Sequence, residues 1–179
     1  MQTISKSLEG KLNWILFGFK GVGKTYLGKR LAERLGYLFI DTDAFVEERE
    51  GLSCRELTLE KGVEYFRAAE KEVIHQLGGK GQIISLGGGA VLDPDNRDYL
   101  QAIGKMIYLI APLSLIEKRL LSPPLPSFID EADPKGSLHQ IYREREKLYE
   151  QIPAIRVLLS QARPVEALAE LYSLVQDNS

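Results

Sequence analysis

The chain has 179 residues, 44% of them hydrophobic and 27% charged, with a net charge of −2. That is material for one domain and too little for two comfortable ones, and the balanced charge leaves no electrostatic footprint for nucleic acid or an anionic membrane. A single cysteine, Cys54, excludes an intramolecular disulfide and does not amount to a metal site, which fits a reducing compartment; Cys54 is read as inert.

Along the chain, short apolar runs alternate with helical patterns. Residues 1–10 lack the apolar region and cleavage site of a secretory signal, so they read as a short loose tail and the protein as cytoplasmic. The first strand is LNWILF (12–17); the apolar run there is far too short to span a bilayer. GFKGVGKT follows, Gly18 to Thr25, matching G-x-x-x-x-G-K-S/T between a strand and a helix marked by Leu27, Leu31 and Leu35. Glycines let the backbone wrap phosphates, and successive N–H groups at the helix start present positive charge to them. Lys24 would reach the β- and γ-phosphates, and the Thr25 hydroxyl would be a ligand for Mg²⁺. Nucleotide binding follows, with Gly21, Val22, Gly23, Lys24, Thr25 and Tyr26 as the contact set.

Strand two, YLFID (37–41), runs into DTD. There Asp41 and Asp43 stand at the mouth of the sheet, one able to face a metal and the other a substrate hydroxyl, although either is also a good helix N-cap. Residues 42–78 exceed a simple crossover and form a helical insertion. Within it Ser53 and Glu56 read as a capping box, and FRAAE places Arg67 on a helix with Glu70 three residues on to hold its guanidinium. Strand three, QIISL (82–86), ends in a run of glycines, 87–89, that leaves no side chain over the strand end and offers backbone N–H groups to a ligand ring. Asp93 before Pro94 starts the next helix, and strand four is KMIYLI (105–110). The proline-rich stretch RLLSPPLPSFIDEADPKG (119–136) lies inside one sheet's worth of elements and is a working segment rather than a linker. YREREKLY then puts Arg143 and Arg145 on a helix; strand five is IRVLL (155–159), and Val165, Leu168, Leu171, Tyr172 and Val175 mark one face of the last helix. Five strands separated by helices give an α/β protein with a mostly parallel sheet covered on both sides, all strands read as buried on both faces. Two arginines converging with aspartate and glycine backbone suit an acceptor that bears a carboxylate and hydroxyls.

GFKGVGKT, DTD, FRAAE and SLGGGAV, in this order and spacing, resemble the shikimate kinase family over nearly the whole chain, from about Leu12 to the last helix. The resemblance implies a three-layer α/β/α P-loop kinase fold with a five-stranded parallel sheet. It also implies a substrate-binding insertion at about 42–78 and a mobile lid at about 120–137 that closes over ATP. The whole chain, 1–179, is then one domain and a monomer. The implied reaction is transfer of the γ-phosphoryl of ATP to the 3-hydroxyl of shikimate, on the route to chorismate and the aromatic amino acids. Thr25 becomes the direct Mg²⁺ ligand and Asp41 a ligand through water. Lys24 stabilises the phosphates, and Asp43 holds the acceptor hydroxyls and takes the departing proton. Arg67 and Arg145 bind the shikimate carboxylate, Gly87, Gly88 and Gly89 contact its ring, and Arg119 stacks on adenine.

Two positions depart from the family pattern. The lid of the family carries an arginine just before a proline and leucine, where this chain has Pro123; Thr58 stands where an aromatic is expected. An arginine of that kind is worth on the order of 10³ to 10⁵ in rate in related phosphoryl transfers. Lys20 or Lys135 would have to supply its charge, unless the protein is a slow or regulatory relative. Among rivals, a GTPase would need N-K-x-D, which the sequence lacks; a gluconate-type kinase and a nucleotide- or shikimate-sensing module are the remaining alternatives.

Overall fold

The five apolar runs pair into one all-parallel sheet of order β2-β3-β1-β4-β5, from β1 (Asn13–Phe17), β2 (Leu38–Asp41), β3 (Gln82–Ser85), β4 (Gly104–Ile110) and β5 (Ile155–Leu158). The computed structural model describes residues 10–159 and 164–178. Residues 1–9, read above as a loose tail, lie outside the described residues. β1 and β3, central in the order, are buried along their whole length. The expectation of burial on both faces fails at β2 and β5: they are the edge strands, and Leu38 and Leu158 are exposed.

Helices return the chain between strands: α1 (Lys24–Leu35), α2 (Thr42–Glu50), α3 (Cys54–Lys61), α4 (Val63–His75), α5 (Pro94–Ile103), α6 (Leu113–Leu120), α7 (Pro134–Tyr149) and α8 (Pro164–Asp177). This is the α/β architecture of P-loop kinases. In α1 the apolar face carries Leu27 and Leu31 onto the sheet, and Gly28 sits so close to Leu16 and Phe39 that a side chain there would displace them. The expected cap at Asp93 and the capping box of Ser53 with Glu56 are both formed. Leu171 and Val175 bury the face of α8, whereas Val165, at the start of that helix, is exposed. One large core surrounds the sheet. A second, smaller cluster of Val46, Leu57, Phe66, Ala69 and Val73 lies beneath α2, α3 and α4, so the insertion packs on a core of its own beside the strand ends. No helix among the described residues is long and apolar enough to cross a membrane.

Candidate active site

The loops after β1, β2 and β3 meet at the carboxyl edge of the sheet, where ligands of open α/β sheets sit. The first is held tightly. Gly18 (φ 145°) packs against the Leu109 carbonyl, and Gly23 (φ 109°) forms the N-cap of α1; both backbones lie in the region that side chains disfavour. The buried Lys24 Nζ donates to the carbonyls of Gly18 at 2.9 Å and Phe19 at 3.1 Å. Burial pulls its ammonium down to about 8, against the attraction of the Asp43 and Asp41 carboxylates. Lys24 therefore holds its proton below about pH 8, and the kcat/KM for nucleotide, which reports the free enzyme, should be level there and fall as pH rises through about 8. Between about 8 and the ordinary lysine value of 10.5 the unfolded chain binds more protons at Lys24 than the folded one, so its contribution to stability rises with pH. A melting temperature measured alongside the rates separates this loss from unfolding.

DTD divides its labour in a way the sequence left open. Asp41 is the N-cap of α2: Oδ1 accepts from the backbone of Asp43 at 3.1 Å and Ala44 at 3.4 Å, and Oδ2 accepts from the Thr25 hydroxyl at 2.7 Å. The Asp43 side chain is thereby left for the site. Burial and then the charge of Asp41 raise its carboxyl above the usual range, with Lys24 and Lys20 opposing. On α4, Arg67 donates to Glu70 Oε2 at 2.6 Å; Glu70 is only 1% exposed, and burial raises its carboxyl against the pull of Arg67.

The glycines 87–89 serve mainly as clearance. A Cβ at Gly87 would overlap Asp43 and Glu70, and one at Gly89 would overlap the Arg67 guanidinium, while one at Gly88 would make ordinary contact with Lys20 and Arg145. The Gly87 N–H, expected to serve a ligand, is taken by Thr42 Oγ1 at 3.0 Å. Gly89→Ala should therefore push Arg67 aside and raise the acceptor KM about tenfold or more with nucleotide affinity unchanged, which titrations of each ligand would check. On α7, Arg143 is exposed, whereas Arg145 lies under the rings of Phe19 and Phe128 at 5.5 and 4.8 Å.

Two cavities open onto these groups. The first, about 550 Å³, is lined by Gly21, Val22, Gly23, Lys24, Thr25, Tyr26 and Arg119, with Asp41 at its rim, and is walled by Leu115 and Leu159. The second, about 480 Å³, takes in Arg67, Glu70, Gly89 and Arg145. Lys20, Asp43, Gly88 and Arg119 line both, so they form the seam between the cavities. Gly87 lines neither.

A family model described as shikimate kinase matches residues 20–176. A shikimate kinase of Syntrophus aciditrophicus is 38% identical over 156 residues, covering 83% of this chain and 80% of the relative; one of Alkaliphilus oremlandii is 36% identical over 162 residues, covering 89% and 96%. The structure of the Acinetobacter baumannii shikimate kinase in complex with shikimate superposes with a TM-score of 0.89 at 28% identity, over 98% of each chain.

The chain belongs to the shikimate kinase family. It is an α/β kinase of that family, and family members use ATP with a divalent metal.

Against the shikimate kinase pattern, three placements differ from what the sequence suggested. Segment 121–133, expected over ATP, covers the second cavity instead: Ser122, Leu125 and Phe128 line it, because Phe128 is anchored on Arg145 and edge-on to Phe19. Pro123 is exposed and lines neither cavity. Arg119, expected against adenine, donates to the carbonyls of Gly21 at 2.6 Å and Val22 at 3.1 Å and so braces the phosphate loop.

Sequence reasoning missed several contributors. The Tyr149 hydroxyl donates to the Gly88 carbonyl, and burial pushes it up to about 12, so it stays a donor; its place one helical turn beyond Arg145 was the available signal. Cys54 lines the second cavity beside Thr58, the position where the family pattern led to an aromatic being expected, and the Thr58 hydroxyl donates to the Cys54 carbonyl at 2.7 Å. Burial raises the Cys54 thiol above its usual range, in keeping with an inert cysteine.

Proposed function

We propose that ATP occupies the first cavity and shikimate the second, and that the γ-phosphoryl crosses the seam to the 3-hydroxyl, giving ADP and 3-phosphoshikimate on the route to chorismate and the aromatic amino acids. The observation that carries this reading is the seam itself: a phosphate loop and the cavity that holds Arg67 and Arg145 share the carboxylate of Asp43. Arg67, held by Glu70, and Arg145, held under two rings, suit the acceptor carboxylate as bidentate donors. Asp43 binds the acceptor hydroxyls and takes the proton from the attacking one; its raised carboxyl brings its basicity nearer the working pH. The loop amides and the Lys24 ammonium hold the phosphates, and Arg119 braces the loop.

The Thr25 hydroxyl and the Asp41 carboxylate, 2.7 Å apart at the rim of the first cavity, are hard oxygen donors that fit Mg²⁺, which takes few protein ligands and keeps its waters. Bound there, the ion would neutralise phosphate charge. Segment 121–133 acts as the lid, within about 120–137, and 42–78 as the substrate-binding insertion of a single domain, 1–179. The protein works as a cytoplasmic monomer. The position of the new phosphate tests the chemistry: ³¹P–¹H coupling in the isolated product should place it on the 3-oxygen, and phosphate at another hydroxyl would overturn the assignment.

A further inference from the structure

Phosphoryl transfer between the two cavities must pass the seam, and the migrating group carries negative charge that a cation there can stabilise. Among the described residues the seam offers two cationic side chains, Lys20 and Arg119. Arg119 donates to the carbonyls of Gly21 and Val22, and Lys24 lines the nucleotide cavity and not the acceptor cavity. Lys20 makes no hydrogen bond or ion pair among the described residues, and its backbone lies against Gly88. The covering segment cannot help, since 121–133 contains neither lysine nor arginine. The first cation beyond it, Lys135, is 69% exposed, pairs with Glu117 at 3.7 Å and lines neither cavity.

We propose that Lys20 is a catalytic residue, its ammonium meeting the phosphoryl group as it moves from the nucleotide cavity to the acceptor cavity. The bond between the γ-phosphorus and the bridging oxygen breaks with its electron pair left on ADP. A bond forms from the acceptor hydroxyl oxygen to phosphorus, and the hydroxyl proton goes to Asp43. Lys20 supplies charge alone. Its compact ammonium on a flexible stem can follow the moving oxygens. Its place in a glycine-flanked loop, facing two cavities, explains why the lid can do without a cation.

This proposal rests on the kinase reading, so the test has one readout that needs no acceptor. In Lys20→Met, kcat should fall about 10²- to 10³-fold while the dissociation constants of ATP and shikimate stay within about threefold of wild type. Tight binding of ADP with Mg²⁺ and aluminium fluoride, a mimic of the transferring group, should be lost although ADP still binds. Lys20→Arg should recover much of both. A kcat within about threefold of wild type in Lys20→Met would overturn the proposal, as would a loss confined to weaker ATP binding. If the wild-type protein phosphorylated no acceptor, the functional reading would fail, and the fluoroaluminate comparison would still decide the role of Lys20.

Discussion

Asp43→Asn should lower kcat by about 10² to 10⁴ while leaving the melting temperature at neutral pH no lower than that of the wild type, and higher by a few degrees. The catalytic loss follows from position: among the described residues, Asp43 is the only carboxylate that lines both cavities. The gain in stability follows from its environment. Burial and the neighbouring Asp41 raise the carboxyl in the folded protein, so the unfolded chain binds fewer protons at this site across the window above the usual carboxylate range. Stability contributed by Asp43 therefore falls as pH rises through that window, and the penalty is present at neutral pH. The amide removes it. The difference in melting temperature should shrink as pH drops into the usual carboxylate range, because below it the wild-type carboxyl is protonated in both states. Loss of activity with a lower melting point at every pH would assign Asp43 a structural role instead.

Arg67→Ala should raise the acceptor KM about 10²- to 10³-fold, in line with truncation of one partner of a charged contact, and should also destabilise the protein. The second effect comes from Glu70, which is left buried without its 2.6 Å partner. Losing a charge-assisted hydrogen bond of this kind costs about 1–3 kcal/mol, moderated here by the water that reaches the outer face of Arg67. Arg67→Ala combined with Glu70→Gln separates the two effects. The double variant should regain most of the stability, because the buried group is now neutral, and none of the acceptor affinity. Recovery of both would mean that Glu70, rather than Arg67, governs binding.

How much of this was legible in the sequence depended on how local each feature is. The strands were readable because each is an apolar run of strand length, and the phosphate loop because its residues are contiguous and its neighbours are a strand and a helix. The Arg67–Glu70 pair is one helical turn and could be read from spacing. The division between Asp41 and Asp43 could not, since either aspartate suits a helix start and only the backbone path into α2 makes Asp41 the cap. Edge positions of β2 and β5 depend on strand order, a property of the whole chain. Glycines 87–89 were read as room for a ligand ring, but what lies against Gly87 and Gly89, namely Asp43, Glu70 and Arg67, comes from two other elements. Segment 121–133 was the least legible: its seating over the second cavity depends on Phe128 finding Phe19 and Arg145, contacts that no local pattern encodes. The orientation of Lys20 was invisible for the same reason.

The claim that the two cavities receive ATP and shikimate is tested most directly by ADP release from the purified protein supplied with ATP and Mg²⁺, with shikimate or gluconate as acceptor. ADP should appear with shikimate and not with gluconate, at a rate that saturates in both substrates. ADP release with gluconate alone would contradict the account, as would its absence with shikimate while both substrates bind, the behaviour of a sensing module.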